Sequence, residues 1–238
     1  MRRVLGAVTL LLLGLTTYLA LVVTPPRPNQ GGDAVRLLYV HVPAAWISYL
    51  AFGVTALASV LWLVPRTRQP TWDLLAGASA EVGVVFAGLM LVTGSIWGKP
   101  TWGTWWEWDA RLTSAAILFF LYLGYLALRR TGTTAAERGT RCAIAALVAA
   151  VDIPIVHFSV SWWQTLHQDA TVFNRELDVK ISGSMALTLV CGVVAYTLAY
   201  AWLVLTRFEV AQLEEGREER ELERAIAERS GVDGAVPA

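Results

Sequence analysis

Three observations predict an all-α, polytopic membrane fold with six transmembrane helices. Six apolar runs are long enough to cross a bilayer, 55% of the 238 residues are hydrophobic, and only 16% are charged, against about 25% charged in an average soluble domain. A spanning helix takes about 17–25 mainly apolar residues. Lipid offers the backbone no hydrogen bonds, so each run must satisfy its own as a helix. The runs are 4–23, 42–64, 74–97, 112–128, 142–160 and 183–205. Residues 1–205 are thus read as a six-helix transmembrane domain with a net charge of +4, and residues 206–238 as a charged cytoplasmic tail of −4. This distribution disfavours an intrinsically disordered chain, a nucleic-acid binder or a disulfide scaffold.

The first run follows Arg2 and Arg3. It is long for the apolar region of a leader, and LALVVTPP offers no small-residue cleavage site, so it is read as an anchored first helix. The second opens within YVHVPAAW (39–46), and the third carries Glu81 inside the span. An intramembrane acid is costly and is expected to face the bundle interior or a partner. The fourth starts near Leu112; the fifth holds Cys142, Asp152, Pro154 and His157; the sixth holds Cys191. The two cysteines show no CxxC or His/Cys metal spacing and read as small buried apolar residues. The tail begins helical: Leu222 and Ile226 are spaced i, i+4, and EEGREERELER allows ion pairs along the helix. It reads either as a solvated helix or as a partner helix.

Basic residues in short connections set orientation. Connections 1–3, 65–73 and 129–141 hold 8 Arg in 25 residues, whereas 24–41, 98–111 and 161–182 hold 6 Lys or Arg in 54, diluted by six acids. Both termini are therefore expected in the cytoplasm, with the three longer connections facing outward.

The outward connections carry an unusual aromatic load. Of 11 Trp, five (Trp97, Trp102, Trp105, Trp106, Trp108) fall in WGKPTWGTWWEWDAR (97–111), and SWWQTLHQ (161–168) adds Trp162 and Trp163. Interfacial belts use Trp at both membrane faces; this clustering is one-sided and suggests a platform for something flat, apolar and large. His41, at the outer start of the second span, and His167, in the third outer connection, flank it. Haem fits two imidazoles, an aromatic bed and nearby cations, because its iron takes axial His ligands and its propionates attract Arg or Lys. Lys99, Arg111 and Arg36 are candidates for propionate or site support. Asp109 is read as orienting an indole N–H or capping the helix that starts near Leu112. His157, close after Asp152 and Pro154, reads as a buried structural histidine.

The stretch TGSIWGKPTWGTWWEWDARLTS (93–114) resembles the tryptophan-rich WWD signature of haem-handling proteins of cytochrome c maturation. With YVHVPAAW and HFSVSWWQTLHQ (157–168), the chain resembles the six-helix CcmC family of the System I pathway more than the larger CcmF or the System II protein CcsB. The likeness runs over roughly residues 35–205. It implies a multi-pass protein of the bacterial cytoplasmic (inner) membrane that binds haem b transiently at the periplasmic face. It implies His41 and His167 as axial ligands and the WWD segment 97–114, including Trp97, Trp102, Trp105, Trp106, Trp108 and Asp109, as the haem bed. It further implies delivery to a CcmE-like haem chaperone and assembly with CcmA-, CcmB- and CcmD-like subunits. ATP binding is not expected in this chain, which has no GxxxxGK[ST] motif. No nucleophile–base pair is evident, so any help with covalent haem attachment would come from positioning. Two other functions compete with this reading. A cytochrome b-like redox protein would bury His pairs between helices. A quaternary-amine transporter with a Trp cage would leave His41 and His167 without a role.

Overall fold

The computed structural model describes residues 2–28, 31–131, 134–167, 181 and 183–233, and the secondary structure among them is helical, with no strand beyond an isolated bridge between Arg27 and Gly32. Six helical stretches are long and apolar enough to cross a membrane: Arg2–Val23, Asp33–Leu63, Pro70–Trp102, Ala110–Arg129, Ala135–Trp162 and Ser184–Arg229. The expected six-span, all-α class holds.

Helix α1 (Arg2–Tyr18) continues through a π-helical turn, Leu19–Val23, and a 3-10 turn, Asp33–Leu37, leads into α2 (Leu38–Leu63). Then come α3 (Pro70–Trp102), α4 (Ala110–Arg129), α5 (Ala135–Ala150), α6 (Asp152–Trp162) and α7 (Ser184–Asp233). Local chemistry explains several ends. Pro70 occupies the first turn of α3, where its missing N–H costs nothing. Thr134 caps α5, its hydroxyl accepting the Glu137 N–H at 3.2 Å, in a Thr-x-x-Glu arrangement typical of helix starts. The fifth span breaks into α5 and α6 at Val151. Pro154 cannot donate to the carbonyl four residues back, and its ring crowds it, so a new helix begins with Pro154 in its first turn. Helix α7 is continuous from the apolar run into the charged tail.

Helix α2 is the hub and contributes to all three buried clusters: Phe52 to one, Ala44, Ile47 and Ala51 to the second, Leu38 and Tyr39 to the third. Its most extensive partner is α3. Lipid removes the usual hydrophobic drive between helices, so close packing of small residues matters most. Along α3, Ala76, Ala80, Gly83 and Ala87 form a buried small-residue stripe, matched on α2 by Ala44, Ser48, Ala51, Thr55 and Ala58. A Cβ on Gly83 would sit 2.7 Å from the Phe52 ring and 2.8 Å from Ala51 Cβ. Ser79 Oγ donates to the Ala51 carbonyl at 2.8 Å and accepts from the Tyr200 hydroxyl at 2.7 Å, which ties α7 to the same seam.

Ion pairs gather at the end of the bundle that holds Arg2. The buried Asp73 takes Arg129 in a two-pronged pair at 2.6 and 3.0 Å. Arg138 bridges Asp73 at 3.5 Å and Glu215 of α7 at 3.0 Å. The intramembrane Glu81 pairs with Arg207 of α7, which also reaches Glu214 at 2.9 Å. Arg2 pairs with Glu209. The start of the charged segment is therefore fastened to α1, α3 and α5.

Removing one partner of a buried pair strands the other charge. Asp73→Ala is expected to lower stability by about 3 kcal/mol, read as a fall in the thermal midpoint of the detergent-solubilised protein. The Asp73→Ala/Arg129→Ala double variant is expected to lose less than the sum of the two single variants. An unchanged midpoint in Asp73→Ala contradicts the pairing.

Candidate functional site

The opposite end of the bundle collects residues 103–109, residues 163–167 after α6 and the start of α2. The α2–α3 seam ends there in His41 and Gly94. A Cβ on Gly94 would lie 2.8 Å from His41 Cε1, so glycine is what lets the imidazole lie against the α3 backbone. His41 Nδ1 lies 2.9 Å from the Met90 carbonyl. A carbonyl only accepts, so Nδ1 carries the proton and Nε2 keeps its lone pair. That tautomer, fixed by a backbone carbonyl behind the ring, is the one metal-ligating histidines adopt.

His167, on the loop after α6, lies close to it. Its ring centroid is 6.4 Å from that of His41, with the planes tilted by 36°. Trp97 lies edge-on to His41 at 6.1 Å, and Trp102 edge-on to His167 at 6.2 Å. These two tryptophans, both on α3, meet the histidine pair. A metal bonded to one nitrogen of each of two imidazoles at about 2 Å puts the ring centroids roughly 6 Å apart. The observed centroid spacing is of that size.

The rest of the Trp segment is shaped by its turn. Gly103 ends α3 in the left-handed region at φ +82°, its N–H donating to the Lys99 carbonyl at 3.0 Å. Lys99 Nζ returns to the Gly103 carbonyl at 2.9 Å. Trp105 and Trp108 are largely exposed, at 56% and 79%. Trp106 packs edge-on to Trp108 at 5.8 Å, and its indole N–H is buried with no acceptor among the described residues. Asp109 caps α4, one carboxylate oxygen accepting the Leu112 N–H at 2.8 Å; the other accepts the Leu166 N–H at 2.9 Å, beside His167. Arg111 donates to the carbonyls of Val156 and His157 and so joins α4 to α6. Arg36 pairs with Asp33 at 3.1 Å and donates to the Leu21 carbonyl. His157 lies edge-on to Tyr49 of α2 at 6.2 Å.

The sequence profile of CcmC, described as Heme exporter protein C, matches residues 1–223. The chain belongs to that family. It is 42% identical over 201 residues to Heme exporter protein C of Bradyrhizobium diazoefficiens, covering 84% of this chain and 74% of the relative. It is 41% identical over 207 residues to Heme exporter protein C of Haemophilus influenzae, covering 87% and 82%. It is 42% identical over 173 residues to a putative cytochrome c biosynthesis ccmC-like mitochondrial protein of Arabidopsis thaliana, covering 73% and 64%.

Sequence reasoning singled out His41, His167 and the tryptophans but missed Gly94, Met90 and Leu166. The need for Gly94 arises from the approach of His41 on another helix, which the local sequence does not signal. Met90 and Leu166 act through backbone atoms, for which side-chain identity carries no signal.

At φ +82° a Cβ is strained. Gly103→Ala is expected to weaken the end of α3 by about 1 kcal/mol. The check is faster amide hydrogen exchange over 99–106, with α2 unaffected. Unchanged exchange in that segment contradicts the cap.

Proposed function

We propose that this chain binds haem b transiently between His41 and His167 and presents it to a CcmE-like haem chaperone during cytochrome c maturation. The observation that carries the reading is the pair of imidazoles with centroids 6.4 Å apart, one of them with its far nitrogen proton-bearing and bonded to a carbonyl. No group of three or more His, Cys, Asp or Glu able to hold a metal occurs among the described residues. Two imidazoles suit a metal whose other positions are already filled, as iron's are in a porphyrin. Relatives named Heme exporter protein C support the same cargo.

Each residue then has a task. His41, held by Met90 and Gly94, offers Nε2 from a rigid helix; His167 offers the second nitrogen from a loop and is the natural ligand to yield during transfer. Trp97 and Trp102 pack beside the ligands, and the exposed Trp105 and Trp108 extend the aromatic bed toward the macrocycle. The Trp106 indole N–H is a donor without a partner among the described residues, suited to a propionate. Lys99, Arg111 and Arg36 supply positive charge, and for Lys99 and Arg111 a propionate is a stronger acceptor than the carbonyls that hold them. The open aromatic edge leaves part of the macrocycle exposed to a second protein, and covalent attachment there is helped by orientation alone.

The Arg-rich end, with Arg2, Arg129, Arg138 and both termini, faces the cytoplasm, in keeping with the positive-inside rule. The WWD segment faces the periplasm of a bacterial inner membrane. Residues 1–205 form the transmembrane unit, residues 206–238 its cytoplasmic tail, and CcmA-, CcmB- and CcmD-like subunits complete the assembly.

The test is the visible spectrum of purified full-length protein loaded with haem, beside His41→Ala and His167→Ala. A bis-imidazole spectrum is expected for the unaltered protein. Each substitution is expected to perturb it and to lower haem affinity by about tenfold or more, the scale on which metal sites respond even to loss of a ligand's supporting partner. An unchanged spectrum in both variants overturns the assignment.

A further inference from the structure

Asp109 makes two backbone hydrogen bonds that belong to different parts of the chain. Oδ1 accepts from Leu112, at the start of its own helix, and Oδ2 accepts from Leu166, 57 residues away. Leu166 precedes His167, and consecutive Cα atoms are about 3.8 Å apart, so holding the Leu166 N–H fixes the origin of the His167 side chain. The loop has other anchors. Trp163 N–H donates to the Ser159 carbonyl at 3.0 Å, and Thr165 Oγ1 donates to the His167 carbonyl at 3.2 Å. The bond to Asp109 runs from this loop to α4. Helix α4 is in turn bound to α6 by Arg111, through the Val156 and His157 carbonyls.

We propose that Asp109 is a positioning residue that sets the reach of His167 toward His41, acting through the Leu166 N–H and not by touching haem. The proposal rests on His167 being an iron ligand. A carboxylate is required because it offers two equivalent acceptor oxygens. Asparagine offers one acceptor and one donor. It caps helices as well as aspartate does, so Asp109→Asn keeps the α4 cap and loses the Leu166 contact, its amide N–H₂ meeting another donor. Leu166→Pro removes the same hydrogen bond from the other partner and leaves the carboxylate intact.

The experiment uses full-length protein loaded with haem and compares the unaltered chain, Asp109→Asn, Leu166→Pro and His167→Ala. The readout is the balance of low-spin and high-spin iron in the visible spectrum, with and without added imidazole. Asp109→Asn and Leu166→Pro are each expected to retain haem through His41 and to show a high-spin fraction raised about tenfold, as befits loss of one hydrogen bond to a charged acceptor. Added imidazole is expected to return both to low spin, as it does His167→Ala. Two outcomes overturn the proposal: a low-spin spectrum in both variants while His167→Ala is perturbed, or haem loss in Asp109→Asn that imidazole does not rescue while Leu166→Pro binds normally. If His167→Ala is itself unchanged, the ligand assignment fails, a result distinct from failure of the positioning role.

Discussion

The close approach of α2 to α3 governs both the fold and the site. The seam is built from small residues, with Gly83 against Phe52 and Ala51 at its middle. It is reinforced by side-chain hydroxyls bonded to the facing backbone, Ser79 to Ala51 and Thr55 to the Ala76 carbonyl at 3.3 Å. In a bilayer such contacts do the work that apolar burial does in water. The same approach, carried to the outer end of the seam, seats the His41 ring against Gly94 and its Nδ1 on Met90. A ligand on a packed helix is held more tightly than one on a loop. His41 thus sits on a packed helix and His167 on the connection after α6, so the fold holds the two imidazoles by different means.

Charge is segregated along the bundle. One end is laced by pairs among Asp73, Arg129, Arg138, Glu215, Glu81 and Arg207, which fasten α7 to α3 and α5. The other end uses cations mainly to hold backbone carbonyls: Lys99 on Gly103, Arg111 on Val156 and His157, and Arg36 on Leu21. The ionic end consolidates the bundle, and the aromatic end leaves Trp105 and Trp108 exposed.

The number and order of spans were legible because crossing length and hydropathy are local properties of the chain. The histidines and the Trp run were legible because such side chains are rare and one-sided here. Pairings between distant residues were not. Glu81 read only as an acid that must find a partner; that the partner is Arg207 depends on α7 lying beside α3. Likewise, Asp109 was readable as a helix cap, since a cap is local, but its bond to Leu166 depends on how α6 returns toward α4. The break at Val151 was half-legible in Pro154, yet hydropathy alone reads α5 and α6 as one span.

The claim that helix packing sets the imidazole spacing is tested most directly by electron paramagnetic resonance of the ferric, haem-loaded Gly94→Ala protein. A methyl group there would meet His41 Cε1 at 2.8 Å, closer than carbon atoms pack, so the ring must shift. A weakened or altered bis-imidazole low-spin signal is expected, in protein that otherwise folds normally. A signal identical to that of the unaltered protein would contradict it.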